Sequence, residues 1–149
     1  MSAESITAAV KEQANRVIAH ERTARLRLAE AATNTDVELT SSDYANAMEA
    51  AAKAAPWKDL LAVAEKKGMR DALASVRSRA TKHLIQYGET QSTSVVTNEI
   101  ERCKREGLRT FLSNTEGMPD FFDGADTKKA SDSTPRPACT CGGCASCMS

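Results

Sequence analysis

From Ser2 to about Ala32 the chain has neither Gly nor Pro, and Ile6, Val10, Val17, Ala24, Leu28 and Ala31 recur at spacings of three, four and seven. That period predicts one long helix with a thin apolar stripe. Glu21 falls on the stripe and interrupts it. A stripe with so few large side chains suits a helix lying on a small partner surface or on a second copy of itself. Thr33 to Ser42 is polar and reads as a loop, with the hydroxyls of "TSSD" available to cap the next helix. Tyr44, Ala47, Met48 and Ala51 form the expected apolar face of that second helix. Pro56 is expected in the first turn of a following one, where its missing N–H does no harm. Trp57, Leu60, Leu61 and Ala64 make the densest apolar group, with Trp57 the expected core anchor and Gly68 placed to end or kink the segment.

The clearest amphipathic stretch comes next: Met69, Leu73, Val76, Ala80, Leu84 and Tyr87 step by three or four, and Gly88 follows as a helix stop. Val96, Ile100, Cys103, Gly107 and Phe111 repeat the pattern after a polar turn, with Thr93 or Ser94 as the hydroxyl cap. Glu101 with Arg105 and Arg102 with Glu106 are spaced as i,i+4 ion pairs. The expected fold is all-α, a small helical bundle of four to five helices with a long N-terminal helix, occupying residues 1–112. Beyond Ser113 the period is lost among Gly, Pro, Ser, Asp and Thr, so 113–149 reads as a disordered Cys-rich tail. Within it, residues 116–126, "EGMPDFFDGAD", set Met118, Phe121 and Phe122 among acids. This segment either folds back to close the bundle or docks an outside partner as a short peptide.

Composition narrows the functional classes. Hydrophobic content is 41%, inflated by alanine, and six aromatics are available to a core. Twenty basic and twenty acidic residues leave no net charge, so any electrostatic attraction must be local. The start, "MSAESITAAVKEQ", lacks the apolar run of a secretory signal, and no segment has the length of a membrane span. The expected location is cytoplasmic or nuclear. His20 and His83 are the only histidines, each on a predicted helix, and no phosphate loop, HExxH or nucleophile elbow is present. The chain is therefore expected not to be an enzyme. His83 reads as a partly buried, hydrogen-bonded residue or an addition to a basic flank, and Cys103 as a small buried hydrophobe.

Two stretches concentrate positive charge. Lys66, Lys67, Arg70, Arg77, Arg79 and Lys82 stand against Asp71 alone, and Arg16, Arg22, Arg25 and Arg27 against Glu21. Basic helical faces bind phosphates by counterion release and can follow an RNA duplex by shape and backbone contacts. RNA is accordingly the favoured partner of a self-associating binding protein. The plainer alternative is a solvated face paired with acids of neighbouring helices. In that case the chain is a protein–protein adaptor docking through its helical surfaces and the "MPDFF" peptide.

Four of the five cysteines, Cys139, Cys141, Cys144 and Cys147, lie within nine residues in "CTCGGCASC". Their C-x-C-x2-C-x2-C spacing is too tight for a finger whose ligand pairs flank a structured loop. The string resembles the thiolate strings of metallothioneins, which implies a soft ion such as Zn²⁺ or Cu(I), held by one peptide or shared between two chains. S-acylation and thiols with no fixed role are the competing readings. Prenylation is disfavoured because no cysteine is fourth from the end. In layout, a compact helical domain with basic faces and a small Cys-rich extension is similar to various viral accessory and silencing-suppressor proteins. That likeness implies RNA as a partner and assigns no residues.

Overall fold

The computed structural model describes residues 2–34, 41–86 and 92–133. They form five helices, α1 (Ala3–Thr33), α2 (Ser41–Lys67), α3 (Met69–Gln86), α4 (Val95–Asn114) and α5 (Met118–Ser133), and no strand among the described residues. Ser2 starts α1 by accepting a hydrogen bond from the Ser5 N–H at 3.2 Å. Ser94 does the same for α4 through Thr97 at 3.3 Å, satisfying donors that a helix start leaves over. Gly68, at φ +86°, separates α2 from α3, a left-handed conformation that glycine adopts without strain.

The hub is α2, which packs against α1, α3 and α4. Its middle, "AAAKAAPW", shows why: alanines on several sides let neighbours approach closely from more than one direction. Lys58 meets Glu21 across the α1–α2 seam, while Arg79 meets Asp59 across the α2–α3 seam. The start of α1 (Thr7, Lys11) lies beside the end of α2 (Leu61, Glu65) and the end of α1 (Ala31, Asn34) beside Asp43, so α1 is antiparallel to α2, and the turn at Gly68 folds α3 back along it in the same sense. Arg102 meets Glu49 and Gly107 meets Ala52, so α4 runs parallel to α2.

Pro56 does not open a new helix as its sequence context suggests; it sits inside the continuous α2 and is buried. A proline there cannot donate to the carbonyl four residues back, Ala52. Gly107 covers that carbonyl. A Cβ at Gly107 would lie 2.7 Å from the Ala52 carbonyl carbon and closer still to its oxygen. The hydrogen in the Cβ's place is therefore aimed at the freed oxygen, the geometry of a weak Cα–H···O bond. This close approach carries Phe111 onto Trp57, edge to face at a centroid distance of 5.0 Å.

The core contains Ile6, Val10 and Ala14 of α1, Trp57 and Leu60 of α2, Met69, Leu73 and Val76 of α3, and Phe111 of α4. Trp57 is the anchor that its context predicts. Tyr44 is exposed, against expectation, as are Val96 and, at the margin, Ile100. Tyr87 and Gly88 lie outside the described residues.

The helical chain also continues past the boundary expected at Leu112. α4 reaches Asn114, Gly117 at φ +75° turns the backbone, and α5 folds back so that Phe122 is 3% exposed within the core. The tail expected from 113 onward thus includes a packed helix. Of the two readings of 116–126, folding back onto the bundle is the one seen, with Phe122, the half-buried Met118 and Ala125 supplying the apolar contact and Asp123 pairing with Arg70 of α3. Phe121, next in sequence, is 60% exposed. Phe122→Ala should lower unfolding free energy by about 3 kcal/mol, measured by urea titration, whereas Phe121→Ala should change it by less than about 0.5 kcal/mol.

Candidate interaction surfaces

The cations of α2 and α3 divide into engaged and unengaged groups. Arg77 is half-buried and donates to the Leu112 carbonyl at 2.8 Å and to the Thr115 hydroxyl. Thr115, itself fully buried, donates to the Phe111 carbonyl at 2.8 Å. Arg77 therefore closes the C-terminal end of α4, where unsatisfied carbonyls carry partial negative charge. Arg70 pairs with Asp123 of α5, and Arg79 with Asp59 of α2 at 2.9 Å. Lys66 and Lys67 occupy the last turn of α2, exposed, where cations complement the helix dipole. Lys82 is exposed on α3.

On α1, Arg16 pairs with Glu12, and Arg25 with Glu21 at 2.7 Å. Glu21 is 3% exposed and also takes Lys58. The carboxylate that interrupts the apolar stripe is thus the point where α1 is tied to α2. Arg22 and Arg27 are exposed and form no ion pair among the described residues. They are five positions apart, which places them about 140° apart around the helix. The ten candidate cations consequently do not converge on one stripe.

The other chemical candidates are also placed. His20 is exposed on α1, and His83 is half-buried where α3 faces α2 and α4. Cys103 is buried, and burial pushes its thiol up, which keeps it protonated and a poor nucleophile. Cys139, Cys141, Cys144 and Cys147 lie outside the described residues. No helix among the described residues is long and apolar enough to cross a membrane.

One surface was not foreseen. The apolar period of α4 runs unbroken from Val96 to Phe111, but burial begins only at Cys103. Before it, Val95 is 81% exposed, Val96 66% and Ile100 36%. The reason is the partner: running parallel, α2 offers Ser41, Ser42, Asp43, Ala45 and Asn46 near this level, and its one large side chain there, Tyr44, is exposed. The small and polar start of α2 was the available signal. Beside this strip Arg102 holds Glu99 at 2.6 Å, Glu106 at 2.9 Å and Glu49 at 3.4 Å. Its hydrogen bond keeps the Glu99 carboxyl below the usual range. Of the two spaced pairs on α4, Arg102–Glu106 forms, while Glu101 pairs with Lys104 at 3.2 Å.

No protein-family model, curated protein or solved structure matches this chain.

Removing Arg77 leaves the Thr115 hydroxyl without the donor it accepts from, and the Leu112 carbonyl with only the long 3.5 Å contact from Thr115. Arg77→Ala should cost about 1–3 kcal/mol. In contrast, Glu21→Leu should stay within about 1 kcal/mol of the wild type, because its partners Arg25 and Lys58 are exposed and can return to water. Urea unfolding of both variants checks the contrast.

Proposed function

We propose that this chain is a non-enzymatic, self-associating helical adaptor whose protein contacts run through the first two turns of α4. The observation that carries the reading is the exposed apolar pair Val96 and Ile100, which continues the core face of α4 beyond any covering helix among the described residues, with the exposed Val95 on the adjoining flank. Large apolar side chains at i and i+4 on one helix are the anchors of helix-to-helix docking. An antiparallel pairing of two α4 strips would set Val96 of each copy beside Ile100 of the other, the self-complementary arrangement of a two-fold interface.

RNA as a partner becomes the second reading. Arg70, Arg77 and Arg79 already have intramolecular partners, which removes half of the basic stretch on α2 and α3. Arg22, Arg27, Lys66, Lys67 and Lys82 remain as the cations that support it. The zinc reading of Cys139, Cys141, Cys144 and Cys147 rests on their spacing alone.

Native mass spectrometry of the full chain, purified without chelator, reads all three together. The expected spectrum shows dimer at concentrations of about 10 μM, and Val96→Ser/Ile100→Ser should weaken the dimer at least about tenfold. A monomer throughout, or a dimer indifferent to that variant, overturns the adaptor surface. Co-purified RNA that is lost at high salt would favour the second reading. Zinc at one ion per chain or per dimer would support the thiolate site.

A further inference from the structure

A groove of about 400 Å³ opens between α2, α3 and α4, a volume within the range of small-molecule sites. Its floor is apolar: Ala52 and Pro56 from α2, Val76 and Ala80 from α3, and Leu108 from α4. It exists because of the seam described above. Gly107 draws α4 down onto Ala52, and the alanines facing α3 are too short to fill the remaining angle between three helices. Close-packed domains normally fill such gaps, so an apolar recess bounded by charged side chains is a site for something apolar with a charged end.

The polar groups are arranged unevenly. Toward its Val76 end, Arg79 is matched by Asp59 at 2.9 Å, so charge there is balanced within the protein. His83 and Lys104 line the other end. The partner of Lys104 is Glu101, one turn away on its own helix at 3.2 Å. Both pairs are largely solvent-facing and contribute little, but the Arg79–Asp59 pair bridges two helices at 2.9 Å, whereas the Lys104 contact is longer and stays within one helix, so the Lys104 ammonium is the one that can turn to a ligand anion without separating α2 from α3.

We propose that this groove binds a small amphipathic carboxylate, its headgroup at Lys104 and His83 and its hydrocarbon body lying over Ala80, Val76 and Leu108. Seven helical residues from Val76 to His83 span about 10.5 Å, the length of an extended chain of roughly eight to ten carbons. Chain burial supplies affinity in proportion to the apolar area covered, and the charge-assisted contact at Lys104 selects the acid over an uncharged analogue. This site is separate from the α4 strip and does not depend on the adaptor reading.

The test is a titration of the full-length, ¹³C-methyl-labelled protein with sodium decanoate, read by NMR. Saturable shifts are expected at the methyls of Ala52, Ala80, Val76 and Leu108. Lys104→Glu should weaken binding at least about tenfold, and 1-decanol should bind at least about tenfold more weakly than decanoate. Ala55 is exposed and lines the groove, so Ala55→Phe should block it without disturbing the core, with unchanged helical circular dichroism as the control. Absence of saturable shifts, shifts centred elsewhere, or decanol binding as tightly as decanoate overturns the proposal. Insensitivity to both Lys104→Glu and Ala55→Phe overturns it equally.

Discussion

The Ala52 carbonyl is the point on which this bundle turns. Pro56 leaves that carbonyl without its ladder donor inside the continuous α2, and a carbonyl left without a donor under a packed neighbouring helix is costly. Gly107 resolves the problem by bringing the α4 backbone directly over it. Several consequences follow from the one contact. Phe111 is set edge-on to Trp57, Arg77 comes within reach of the end of α4, and α4 is fixed parallel to α2 so that its first turns project past the small, polar start of its neighbour. Both the exposed α4 strip and the groove beside Ala52 are products of that placement.

Charge in this protein is arranged to join helices as much as to face water. Glu21 binds α1 to α2 through Lys58, Asp59 binds α2 to α3 through Arg79, Asp123 binds α5 to α3 through Arg70, and Glu49 binds α2 to α4 through Arg102. One cross-helix ion pair thus marks each of four seams. Most are solvent-exposed and contribute modestly to stability, yet they help specify which helix faces which, since a mismatched arrangement would set like charges together. A chain with only six aromatics has little core volume with which to make that distinction.

The all-α class, the span of α1, the stop at Gly68, the Ser94 cap and the burial of Trp57, Leu73, Val76, Cys103 and Phe111 were all legible from helical periodicity and local chemistry. The misreadings share a cause. Pro56 as a helix start, the core end at Leu112 and the burial of Val96 and Tyr44 each depend on which neighbour lies opposite, and periodicity reports the face of one helix without naming what covers it. Similarly, a run of six cations looks like a phosphate-binding stripe until Asp59, Asp123 and the end of α4 are brought beside it. Glu21 was visible as an anomaly in the α1 stripe. Its resolution required Lys58, thirty-seven residues away in sequence.

A double-mutant cycle between Pro56 and Gly107 addresses the central claim, with unfolding free energies measured for the wild type, Pro56→Ala, Gly107→Ala and the double variant. In the native background Gly107→Ala forces a side chain into the Ala52 carbonyl and removes its contact, at a cost of about 2 kcal/mol. With Ala at position 56 the carbonyl regains a ladder N–H, so the same substitution should cost less by at least about 0.5 kcal/mol. Strict additivity of the two substitutions, or a Gly107→Ala variant as stable as the wild type, would contradict the account.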